Sequence, residues 1–69
     1  MTQRTESARQ ALDQYYRSKG EPLDTLETGI IDLLTDLMHL ARIEGQDGFM
    51  LAQTALVHFV VETEQERSR

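Results

Sequence analysis

Two carboxylate–histidine pairs are the residues of this 69-residue chain whose types and spacing could do chemistry. Asp36 stands three residues before His39, with Asp32 one turn further back, and His58 stands four residues before Glu62. At those spacings the members of each pair share one helical face. Facing helices that each supply carboxylate and imidazole groups build the metal centres of helical bundles. A small metal-dependent enzyme using Asp36, His39, His58 and Glu62 is therefore one reading. The helical wheel opposes it. At about 100° per residue, His39 falls in the middle of a polar arc, and His58 lies with Thr54 and Glu62, opposite Phe49 and Leu56. In an antiparallel hairpin these groups point outward and apart. The expectation is solvated or locally paired histidines, with no metal and no cofactor.

Other routes to catalysis are narrower still. The chain has no cysteine, which removes disulfides, thiolate nucleophiles and thiolate metal sites. Ser7 and Ser18 have no histidine near them in sequence, so no activated hydroxyl is evident. Gly20, Gly29, Gly45 and Gly48 are scattered, with no GxxxxGK to cradle a phosphate. The residues describe a protein that is not an enzyme.

The elements that must position these side chains are helical. A first helix is expected from about Thr5 to Lys19, capped by Thr5 or Ser7, with Ala8, Ala11, Leu12, Tyr15 and Tyr16 as a thin apolar stripe. Gly20 and Pro22 stop it. A second helix is expected from about Thr25 to Glu44, with Asp24 and Glu27 at the spacing of a reciprocal cap. Its apolar residues, from Leu23 to Ala41, cover roughly 180°, well beyond the roughly 100° a surface helix needs. Gly29 interrupts it, either at a cost of up to about 1 kcal/mol relative to alanine or to admit a close neighbour. After Gly45 and a short connector, Asp47 caps a third helix running from about Gly48 to Glu64, with a frayed polar tail at 65–69. Its main stripe is Phe49, Ala52, Ala55, Leu56, Phe59 and Val60. A second seam, Met50, Val57 and Val61, lies on another side.

Charge sets further limits. The formal net charge is −5, and residues 23–48 carry six acidic groups against Arg42 alone. Nucleic-acid binding normally needs a basic stripe, so direct binding to DNA or RNA is not expected. The acidic face of Asp24, Asp32 and Asp36 offers an alternative role. It could mimic a row of phosphates and inhibit a DNA- or RNA-binding protein, although such faces commonly serve only solubility. No apolar run approaches the roughly 18–20 residues that span a bilayer. The N-terminal MTQRTESARQ lacks the apolar stretch of a signal peptide. A cytoplasmic protein away from membranes is the expectation.

One small domain over residues 1–69 has little interior of its own. The first helix could fold over Ile31, Leu34, Met38 and Ala41 to close a three-helix monomer, but the Met50–Val57–Val61 seam would remain. The chain is thus expected to be all-α: an antiparallel helical hairpin, about 25–44 and 48–64, with a short N-terminal helix at about 5–19, dimerising into a bundle. Met50, Val57 and Val61 would form the interface, with Tyr16 exposed at its helix edge as a further contact. A small acidic accessory or regulatory protein, working as a homodimer with room for a second protein partner, follows from that surplus.

Asp36, Leu37, Met38 and His39 in one helix and Ala55, His58, Phe59 and Glu62 in the next give the chain a resemblance to a known pattern. It resembles small uncharacterised bacterial helical-hairpin proteins with a D-L-M-H helix followed by an A-x-x-H-[FY]-x-x-E helix. The similarity covers about half the chain. It implies an all-helical hairpin, brings no catalytic assignment and directs attention to His39 and His58.

Overall fold

Good helix formers flank every apolar stripe of the sequence, and in a computed structural model they form three α-helices. The structure describes residues 3–67. The helices are α1 (Gln3–Lys19), α2 (Leu26–Ile43) and α3 (Gly48–Arg67), with no strand among the described residues. All-α architecture with an α2–α3 hairpin is the expected fold.

The helix ends follow local hydrogen-bond chemistry. Gly20 and Gly45 adopt φ values of 71° and 81°, the left-handed conformation that an L side chain resists. Each closes its helix with a pair of backbone bonds. Gly20 N donates to Arg17 O and Glu21 N to Tyr16 O, while Gly45 N donates to Arg42 O and Gln46 N to Ala41 O. These satisfy carbonyls that the ending helix leaves without partners. Asp47 caps α3 as expected, its Oδ1 accepting from Met50 N at 3.1 Å.

Three boundaries differ from expectation. The cap of α2 is Thr25 rather than Asp24: Thr25 Oγ1 accepts from Thr28 N at 3.1 Å and donates to Thr28 Oγ1 at 2.9 Å. The hydroxyl sits one residue nearer the first turn and reaches the orphan amide three residues on. Helix α1 begins at Gln3, so Thr5 and Ser7 lie inside it and do not cap it; glutamine and arginine before them extend a helix readily. The tail expected to fray from residue 65 is helical through Arg67, where Arg67 pairs with Glu64 one turn back at 3.6 Å. Ser68 and Arg69 lie outside the described residues.

The chain divides into two compact units, one ending at Thr35 and the other starting at Asp36, so α2 contributes to both. In the first unit, the question posed by Gly29 has an answer. A Cβ there would lie 2.5 Å from Leu23 Cδ1 and 3.4 Å from both Leu12 Cδ1 and Tyr16 Cε2. Glycine leaves room on α2 for Leu23 of the connector, with Leu12 and Tyr16 of α1 at ordinary contact distance beside it. In the second unit, Gly48 performs the same service for the hairpin. A Cβ there would lie 2.6 Å from the Met38 carbonyl oxygen and 3.2 Å from the Met38 carbonyl carbon.

These two close approaches differ in what must give way. Beside Gly29 the nearest atom is the end of a flexible leucine, whereas beside Gly48 it is helix backbone. Gly48→Ala should gain up to about 1 kcal/mol in helix propensity but force the hairpin apart. Overpacking of this kind costs about 1–3 kcal/mol. A lower urea midpoint for Gly48→Ala than for wild type is the expected net result, and an unchanged or higher midpoint contradicts the close packing.

Candidate functional site

The elements place the chemistry-bearing side chains unevenly. The densest polar cluster lies in the first unit, where α1 meets α2. Tyr16 Oη donates to Asp32 Oδ2 at 2.6 Å, and Tyr15 Oη donates to the Asp32 carbonyl at 3.3 Å. The two rings meet edge to face at 5.0 Å, with an interplanar angle of 87°, an arrangement favoured by the ring quadrupole. Lys19 Nζ stands 4.8 Å from the centre of the Tyr15 ring and 5.1 Å from that of Tyr16. It also donates to Tyr15 Oη at 3.3 Å and pairs with Glu21 at 3.6 Å. Residues at i and i+4 on α1 thereby lock together.

The cluster perturbs its own protonation. The hydrogen bond to Asp32 pushes the Tyr16 hydroxyl from 10.0 up to about 12, reinforced by burial and by the Asp32 charge and opposed by Lys19. Ionising Tyr16 would break that bond and set phenolate against carboxylate. Lys19 is raised above its ordinary 10.5, chiefly by its hydrogen bond to Tyr15. The groups clamp one helix to another.

Tyr16 is where expectation and structure part. It was placed at the exposed edge of α1 as an interface residue, yet it is 6% exposed and Tyr15 is half-buried. The physical reason is Asp32 on α2, which receives the Tyr16 hydroxyl, while the ring packs at ordinary contact distance beside Gly29. The docking side of α1 differs as well. It lies against Gly29 and Asp32 of α2 and leaves Ile31 55% and Leu34 53% exposed.

The histidines form no such cluster. His39 and His58 are exposed, and Glu62 is half-buried. Among the described residues, no three His, Cys, Asp or Glu side chains come together in a way that could hold a metal ion. Asp36 and Glu62 each have an interaction partner. Of the acidic face, Asp24 and Asp36 are exposed, while Asp32 is half-buried beneath Tyr16. A carboxylate that holds α1 in place is a poor phosphate mimic, which weighs against the inhibitor reading.

The apolar surface is the dominant feature. Among the described residues, Leu12 and Tyr16 are the buried hydrophobic ones, while seventeen large hydrophobic residues from Leu23 to Val61 are at least 36% exposed. The Met50, Val57 and Val61 seam is among them, about half exposed. So is the stripe expected to form the interior: Phe49, Leu56 and Phe59 are each more than 60% exposed. The wheel ranked α3's two faces, but the signal that matters is simpler. Residues 48–61 include no Asp, Glu, Lys or Arg at all. A helix apolar on nearly every side belongs in an interior. No helix among the described residues is long and apolar enough to cross a membrane.

No protein-family model matches the chain, and no match is found among curated proteins or solved structures.

The Tyr16 clamp has a pH signature whose sign is fixed. A folded-state value raised above the unfolded one gives stability that is complete below pH 10 and lost as pH rises towards 12. The chain has two tyrosines, so in Tyr15→Phe the remaining phenol reports Tyr16 alone. Its tyrosinate absorbance should titrate near pH 12, and Asp32→Asn should move the midpoint back towards 10. A midpoint near 10 with Asp32 intact contradicts the clamp.

Proposed function

We propose that this protein is a non-enzymatic interaction module, a small acidic accessory or regulatory protein that works through the apolar surface of its α2–α3 hairpin. The observation that carries this reading is the inverted distribution of its hydrophobic residues, with seventeen large ones exposed against two buried. A contiguous apolar surface on a water-soluble chain marks a site of association. The polar cluster of α1 serves the same end. By docking through Tyr16 and Asp32, α1 leaves Ile31 and Leu34 exposed instead of covering them.

The surface is suited to being covered. Thr54 donates its hydroxyl to the Met50 carbonyl at 2.9 Å and Thr35 to the Ile31 carbonyl at 2.8 Å. Both polar groups are satisfied within their own helices, so a partner can exclude water there without orphaning them. Of the polar residues between Phe49 and Val61, Gln53 and His58 are left to find partners. Tyrosine and histidine chemistry do not enter this reading: His39 and His58 contribute as polar surface.

Photo-cross-linking in cells tests the reading directly. A photoreactive residue replacing Phe59, which is 64% exposed, should yield a protein adduct of discrete mass. The same residue replacing Arg9, on exposed polar α1, should yield little. An expressed chain that gives no protein adduct from position 59 contradicts an interaction module.

A further inference from the structure

The interaction reading leaves open what covers the apolar surface, and its amount and charge narrow the answer. In the second unit alone, eleven large apolar side chains between Leu37 and Val61 are each about half exposed or more. Covering about 100 Å² of each, less than an aromatic side chain buries, takes about 1,100 Å² per chain and about 2,200 Å² in a two-fold pair, inside the 2,000–5,000 Å² range of obligate homodimers. A transient contact needs far less.

Charge points the same way. With a net charge of −5, two copies of this chain repel unless they meet through an uncharged face. Residues 48–61 supply one, being free of Asp, Glu, Lys and Arg. On the part of α2 that belongs to the same unit, Asp36 lies about 100° around the helix from Leu37. An isologous contact, in which the same patch faces itself, therefore buries apolar surface without opposing like charges.

Stability supplies the third argument. With Leu12 and Tyr16 as the buried hydrophobic side chains among the described residues, the single chain sets little apolar burial against the conformational entropy lost in ordering three helices. Covering the hairpin is thus part of folding, and the cover must be at hand as each chain is made. A second copy always is.

Resting on the interaction-module reading, we infer that the occupant of the α2–α3 apolar surface is a second copy of this chain, in an obligate two-fold dimer whose core contains the full apolar surface of α3. The Met50–Val57–Val61 seam is one part of that core, joined by Phe49, Leu56 and Phe59.

Sedimentation equilibrium of the purified wild-type chain tests this without any variant. A mass of two chains, persisting to low micromolar concentration, is expected. Val57→Glu places a charge in the dimer core on both sides and should weaken association by about a hundredfold or more, with helicity lost as the copies part. Glu66→Lys, on the polar end of α3, should leave the mass unchanged. A wild-type mass of one chain, or of three, overturns the inference, as does full dimerisation of Val57→Glu. The photo-adduct separates the two levels of the account. An adduct of twice the chain mass supports the dimer, and an adduct with a different protein alone overturns the second copy while the interaction module stands. Absence of any adduct removes both.

Discussion

Water has to be kept away from α3. From Gly48 to Val61 the helix offers no charged side chain, and its large apolar residues are each about half exposed or more in the single chain. At roughly 25 cal/mol for each Å² of apolar area taken from water, covering such a surface outweighs any other single contribution visible in the molecule. The remaining features take their sense from it. Gly48 lets the hairpin close tightly at its turn, Asp47 secures the amide end of α3, and the threonines of α2 and α3 turn their hydroxyls onto their own helix carbonyls.

Helix α1 is organised by the same constraint in reverse. A helix with two alanines in its stripe could have been spent on the apolar arc of α2, closing a small monomer. Instead it docks beside Gly29 and through two phenolic hydroxyls at Asp32, leaving Ile31 and Leu34 exposed. Polar docking is directional and needs little apolar area, so it fixes α1 while leaving the hairpin's apolar surface available. Lys19 balances the cluster by standing against both rings and bonding to Tyr15.

Much of the fold is legible in the residues because it is local. Gly20 before Pro22, Gly45 at the end of a long apolar period, and Asp47 before α3 act within a few positions of themselves, and the structure uses each as its chemistry suggests. What escapes the sequence depends on partners far along the chain. Thr25 and Asp24 are both good caps, and choosing between them requires the angle at which the chain enters α2. The wheel sets Tyr16 at the exposed edge of α1, and only the hydrogen bond to Asp32, far along the chain, draws it inward. The wheel also misplaces α1, because it ranks apolar faces and is blind to docking by hydroxyl and glycine. The excess of apolar surface was legible from composition, but its extent was not. Periodicity assigned Phe49, Leu56 and Phe59 to the chain's own interior, whereas the hairpin leaves them exposed.

Folding and association are one event in this account, since the surface that must be hidden belongs to the hairpin itself. Thermal unfolding of the wild-type protein, followed by circular dichroism at two chain concentrations about a hundredfold apart, tests that claim most directly. The account predicts a single transition whose midpoint rises with concentration. A cooperative transition whose midpoint is the same at both concentrations would show that one chain holds its fold alone, and would contradict it.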